Sequence, residues 1–296
     1  MSNQVAFLFP GQGSQKVGMD RELGLARDRF LAADEVLGFA LSKIIADGPE
    51  AELTKTANAQ PAILTVSIAC ADELSRRGIR ADVAAGHSLG EFSALVYSGA
   101  VRFEEAVRLV HLRGKFMQSA VPEGEGAMAA IVGLEARTVA DTCREASLEG
   151  DVCQPANLNG GGQVVISGHT RSVSRAMDLC QQKGARMVKL LPVSAPFHSG
   201  LMAPAARQLS EELARVHLGT PSLPVFSNVT AAPHETSCIA QRLVEQVTSP
   251  VRWEDTVHAL ASGGITTGYE VGPGKVLTGL AKRIAPSLVM QEVAWV

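Results

Sequence analysis

The sequence holds few cysteines and none in a useful arrangement. The five are Cys70, Cys143, Cys153, Cys180 and Cys238, in 296 residues. They are odd in number and form no C-x-x-C pair. That argues against a zinc knuckle or disulfide framework and for a reducing compartment. No lysine or arginine run occurs and the formal net charge is −3, so no nucleic-acid or anionic-membrane surface is expected. No stretch approaches the roughly 18–20 apolar residues of a membrane span. Met1 to Phe9 lacks a basic start and a cleavage-like end, so it does not read as a signal peptide. Internal repeats and low-complexity segments are also missing. What is left is a cytoplasmic globular enzyme: 46% hydrophobic and 19% charged residues are ordinary for one. The length fits one large α/β domain carrying a smaller insert. A weakly acidic chain that handles an anionic substrate must concentrate its positive charge locally, so single arginines matter.

The opening run Val5 to Pro10 predicts a buried strand stopped by Pro10, followed by a tight loop, Gly11-Gln12-Gly13-Ser14-Gln15. Helical patterns cover roughly 20–45 and 60–77. Ala81 to Ala85 reads as a strand, with helices over 89–98 and 103–120. The turn-rich Pro122 to Gly126 then changes the pattern. Strand, helix, two strands, helix and strand follow between 127 and 193. That β-α-β-β-α-β order is the split βαβ or ferredoxin-like unit. The expected organisation is a large α/β domain with a parallel sheet over 1–125 and 194–296, with a ferredoxin-like insert over 126–193. In the returning segment, helices are expected near 200–216 and 236–247, and strands near 224–228 and 266–271.

Gly86-His87-Ser88-Leu89-Gly90 is a G-x-S-x-G run between a strand and a helix, the nucleophile-elbow pattern. The two glycines let strand and helix approach, so the Ser88 hydroxyl stands above the sheet edge. The helix N-terminus then offers the Leu89 N–H to a developing oxyanion. Gln12, between two glycines, is a candidate for the second N–H. Two competing readings of the glycine loops fail. Lys16 stands where a dinucleotide fingerprint needs a third glycine or alanine, and Tyr269 and Val276 break a phosphate loop around Gly272 to Lys275.

A serine nucleophile needs a base. His111, His169, His217, His234 and His258 sit in helical or turn patterns that read as exposed. His87 adjoins Ser88, but the elbow aims neighbouring side chains apart. His198 lies where the chain re-enters the large domain, a common place for a cleft, and is the preferred base. On the helix near 103–120, Phe103, Ala106, Val107, Val110 and Met117 form an apolar stripe. Arg113 falls on that stripe. An inward arginine needs a partner. One reading is an internal salt bridge; the other is a fork for a substrate carboxylate, hence an acyl group such as malonyl.

Together FPGQGSQ at 9–15, QPA at 60–62, GHSLGE at 86–91, RGKFMQ at 113–118, GAMAA at 126–130, PFH at 196–198, SPV at 249–251 and EVGPGK at 270–275 resemble the malonyl-CoA:acyl carrier protein transacylases of type II fatty acid synthesis. The likeness covers nearly the whole chain. It implies an α/β-hydrolase-like large domain with a ferredoxin-like insert, Ser88 as nucleophile, His198 as its partner, Arg113 as ligand of the malonyl carboxylate, and Gln12 and Leu89 as oxyanion donors. It also implies that Gln246 orients the histidine through its backbone carbonyl, and that Phe197 disfavours a branched methylmalonyl group. Ser249 departs from the asparagine that many members have. The implied partners are malonyl-CoA and an acyl carrier protein, with no metal or redox cofactor and a monomeric enzyme. The rivals are a freestanding acyltransferase loading a polyketide synthase, a serine hydrolase, and a catalytically silent carrier-binding module.

Overall fold

The computed structural model describes residues 4–22, 27–193 and 195–293. Part of the 20–45 helical pattern and position 194 of the expected domain junction lie outside them. Strands β1 (Gln4–Phe9), β2 (Val83–Gly86), β3 (Gly126–Val132), β4 (Cys153–Gly160), β5 (Gln163–His169), β6 (Met187–Leu190), β7 (Val225–Phe226), β8 (Ile265–Glu270) and β9 (Val289–Gln291) form two sheets. The first is parallel, in the order β7-β2-β1-β8-β9. The second is antiparallel, in the order β4-β5-β3-β6. With helices Ala136–Ala146 and Thr170–Gln182 it makes the ferredoxin-like unit.

β1 and β2 are buried on both faces, as parallel strands between helix layers must be. Phe7, Phe9 and Ala84 face one apolar cluster, and Ala6, Leu8 and Ala85 face another. The register pairs Phe9 with Gly86, so the loops after both strands leave the sheet side by side at its carboxyl edge. The loops after β7 and β8 leave at the same edge, which is where an open α/β sheet holds ligands.

The helical pattern expected over 20–45 is broken into Met19–Glu22, Asp28–Leu37 and Leu41–Asp47. Gly38, at φ +72°, ends the second piece in a left-handed turn. The next helix starts at Thr56, ahead of the expected 60, and runs to Arg76 with Pro61 inside it. Pro61 has no N–H to give the Ala57 carbonyl four residues back. That carbonyl instead accepts the Nδ1–H of His111 at 2.8 Å. This ties the helix to Phe103–Ser119. At Gly114 a Cβ would lie 2.6 Å from the Thr56 carbonyl oxygen, so only glycine allows this approach. The helices Trp253–Ser262 and Val276–Ile284 and strand β9 were not expected from the sequence. No helix among the described residues is long and apolar enough to cross a membrane.

The tightest packing is at the serine turn. A Cβ on Gly86 would meet the Gly90 carbonyl carbon at 1.8 Å, and one on Gly90 would meet the Phe9 oxygen at 2.0 Å. Backbone fills both places, so a methyl can enter only by moving the helix off the sheet. Gly90→Ala is expected to destabilise by about 3 kcal/mol in urea unfolding. Gly219→Ala, whose Cβ would find its nearest neighbours 3.9 Å away, should stay within about 0.5 kcal/mol of the parent. Equal effects would show that close approach at the turn is not what Gly90 provides.

Candidate active site

Ser88 sits at the crest of the turn between β2 and helix Leu89–Tyr97, at φ 52° and ψ −107°. His198 is held at φ 57°. Such conformations cost about 1–3 kcal/mol each in a residue with a Cβ, so the surrounding structure must impose them. For Ser88 the clamp is visible. Its N–H donates to Asn228 Oδ1 at 2.7 Å and its carbonyl accepts from Gln246 Nε2 at 3.0 Å. Asn228 Nδ2 also donates to the Gly86 carbonyl at 2.6 Å.

His198 Nδ1 lies 2.8 Å from the Gln246 carbonyl oxygen. A carbonyl only accepts, so Nδ1 carries the proton and Nε2 presents its lone pair. Ser88 Oγ lies 2.7 Å from that Nε2 and donates to it. The imidazole is 3% exposed. Burial, and then the neighbouring Arg113 cation, pull its pKa down to about 3, against an upward pull from the Gln246 carbonyl. A neutral imidazole beside a hydroxyl can take its proton at neutral pH.

Arg113 is 2% exposed. Nη1 donates to Gln60 Oε1 at 2.7 Å, and Nη2 donates to Gln246 Oε1 at 2.9 Å and Ser88 Oγ at 3.3 Å. Its Nε is buried without a partner, and Phe92 lies 5.6 Å below the guanidinium. Among the described residues, no carboxylate lies within ion-pair distance of it. The direct internal salt bridge, one of the two readings of this inward arginine, is therefore not formed. Burial lowers its pKa to about 10 while Glu91 pulls it upward, so it stays a cation at neutral pH.

These groups open into a cavity of about 570 Å³ between the two sheets. Gln12, Leu89 and Phe197 line it with Ser88, His198 and Arg113. Leu89 begins a helix, where the first N–H groups have no intrahelical acceptor. Gln12 is anchored by its side chain, with Nε2 donating to Thr56 Oγ1 at 3.1 Å. Gln246 does not line the cavity; it is fully buried behind the dyad. Val276, Leu277 and Leu280 supply an apolar wall. The loop before them holds no phosphate cradle. Glu270 accepts the Leu277 and Thr278 N–H groups at 3.0 and 2.8 Å, using the donors an anion would need.

Two site residues carry no role in the sequence reading. Asn228 is a single amide in an unremarkable context, and Gln60 appears only as part of the QPA motif. The histidines need correction. The His234 side chain is fully buried, with Nε2 2.7 Å from Glu91 Oε1. His111 is half-buried and bound to Ala57. His87 lines the cavity beside Ser88, with Nε2 2.8 Å from Asn159 Oδ1.

The chain belongs to the acyl transferase domain family, which it matches over residues 6–291. Among its relatives is the malonyl CoA-acyl carrier protein transacylase of Bacillus subtilis (strain 168), 48% identical over 287 residues, covering 95% of this chain and 90% of the relative. The solved malonyl CoA-acyl carrier protein transacylase of Coxiella burnetii superposes with a TM-score of 0.95 at 43% identity, over 97% of this chain and 92% of that one. A malonyl-transacylase solved in complex with its type II PKS acyl-carrier protein gives 0.94 at 43% identity, over 97% and 94%.

The His198 environment has a measurable consequence. In an NMR titration its ring is expected to stay neutral down to pH 5, where an ordinary histidine would be about 97% protonated. The folded pKa is depressed, so below about 6.5 the unfolded chain binds a proton that the folded one refuses. His198 therefore contributes its stability above pH 6.5 and loses it as the pH falls toward 3. A ring titrating near 6.5 would contradict the buried, cation-flanked geometry.

Proposed function

We propose that this enzyme moves a malonyl group from malonyl-CoA to the phosphopantetheine thiol of an acyl carrier protein, through a malonyl ester on Ser88, and so supplies extender units for fatty acid synthesis. The observation that carries the reading is Arg113. A buried guanidinium with no ion-paired carboxylate among the described residues stands 3.3 Å from the Ser88 hydroxyl. An acyl group on Ser88 that ends in a carboxylate can meet it in bidentate geometry.

In this reading Ser88 Oγ gives its proton to His198 Nε2 and attacks the thioester carbonyl. The Leu89 and Gln12 N–H groups hold the oxyanion. Collapse breaks the C–S bond, and the CoA sulfur leaves with the proton from His198. The carrier thiol then passes its proton to Nε2 and attacks the ester carbon. Ser88 Oγ leaves and takes that proton from Nε2. The original Ser88 proton departs on the CoA thiol and the carrier's proton replaces it, so the protons balance, no electron is transferred, and the proposal includes no metal or redox cofactor. The Gln246 carbonyl keeps the imidazole in the productive tautomer throughout. Phe197, on the cavity wall before His198, would crowd a methyl branch. The enzyme is read as a cytoplasmic monomer.

A polyketide carrier is the second reading. It is favoured by the similar transacylase solved with a type II PKS acyl-carrier protein. Transfer assays against both kinds of carrier separate the two. A hydrolase would instead release malonate rapidly from the acyl-enzyme with no acceptor present.

Intact-mass measurement with malonyl-CoA, methylmalonyl-CoA and acetyl-CoA tests the whole scheme. Malonyl labelling is expected on the parent and none on Ser88→Ala; labelling that survives in that variant would refute the nucleophile. Arg113→Ala should lower the malonyl-over-acetyl preference in kcat/KM by at least about thirtyfold, the cost of removing one partner of a buried charge pair. An unchanged preference would refute the arginine's role.

A further inference from the structure

Behind the dyad lies a polar cluster that the scheme above does not use. Glu91 opens helix Leu89–Tyr97 and is fully buried. Its Oε2 accepts from Gln246 Nε2 at 2.7 Å and from the Asn228 N–H at 3.0 Å. Its Oε1 meets His234 Nε2 at 2.7 Å. His234 Nδ1 is buried with no partner. The Nε2–H is the ring group that faces the carboxylate and donates to it. Three donors surround the carboxylate and none is an arginine or lysine. A buried anion without counter-charge is costly. The nearest cation in the network is one amide away, since Gln246 accepts from Arg113 through Oε1 and donates to Glu91 through Nε2.

We propose that Glu91 is the charge-balancing and positioning residue of this site: through the Gln246 amide it holds the Arg113 fork and the carbonyl that orients His198, and it opposes the field of Arg113 so that a substrate carboxylate binds without being trapped. The inference rests on the malonyl-transfer reading and deepens it. The same carboxylate raises the proton affinity of Arg113, as an opposing charge must. A shuttle has to release its acyl group at every turnover. A guanidinium whose sole counter-charge was the malonyl carboxylate would hold that group too well.

Glu91→Gln tests this with little change of shape. The new amide oxygen can go on facing Gln246 and Asn228. Its nitrogen then faces His234 Nε2, which can accept only with the ring proton on the partnerless Nδ1, so some loss of stability is expected and the substrate ratio, not the stability, is the readout. With the anion gone, free malonate is expected to bind about tenfold tighter in calorimetry, and the malonyl-over-acetyl ratio of kcat/KM to rise about tenfold, because the ligand carboxylate alone then balances Arg113. A merely structural residue would slow both thioesters equally. An unchanged ratio, or looser malonate, overturns the proposal. Labelling of the parent keeps the two readings apart: without malonyl-Ser88 the transfer scheme itself fails, whereas labelling with an unshifted ratio sinks only the role of Glu91. Should Glu91→Gln not fold, the stability of Arg113→Met decides. Adding Glu91→Gln to that variant should raise its Tm by relieving an unbalanced buried anion, and a lower Tm would overturn the inference.

Discussion

The burial of one positive charge constrains most of this site. Arg113 lies on the apolar stripe of its helix, where a guanidinium can remain only if each donor is met or reserved for a ligand. Gln60 reaches it from the neighbouring helix because Gly114 lets the two backbones approach and because Pro61 frees the carbonyl that binds His111. Gln246 reaches it from a third helix. Burial first, and then this cation, keeps the imidazole of His198 neutral. One buried charge thus links substrate choice to the protonation state of the base.

The second constraint is backbone approach at the serine turn. β1 and β2 are paired so that Phe9 lies beside Gly86, and the helix after Ser88 packs through Gly90 onto the end of β1. This lifts the Ser88 hydroxyl above the sheet and places it in an unfavourable backbone conformation. Asn228, arriving from β7, and Gln246 hold that conformation by bonding the Ser88 N–H and carbonyl. The loops after β1 and β2 therefore line a single cavity together with helix Val276–Ile284, with the antiparallel sheet supplying Met128, Asn157 and Val165 on the opposite wall, while the loop after β7 braces Ser88 from behind.

Much of this was legible in the chain. The G-x-S-x-G run and the β-α-β-β-α-β order are local patterns, set by glycine sterics and by hydrophobic period, and they need no knowledge of distant contacts. Arg113 was visible because its place on the stripe conflicts with its charge. The misses have the opposite character. His234 and His111 were read as exposed, because a lone histidine in a turn or on a helix carries no local mark of the partner that buries it. The helix Val276–Ile284 has no adjacent start signal in the chain, because the residue that caps its first turn is Glu270, at the end of β8 and on the far side of the glycine-rich run.

By itself, then, the sequence determined the α/β layering, the inserted ferredoxin-like unit, the reactive-serine turn and the misplaced arginine, all of which follow from spacing along the chain. Only the tertiary structure decided which nitrogen of His198 faces Ser88, that Arg113 is left without a direct carboxylate, and that Glu91 reaches it through the Gln246 amide. These depend on distances between residues up to 155 positions apart. Hydrogen bonds and buried charges act over a few ångströms of space, and spacing along the chain carries no record of which distant groups folding will bring within that reach.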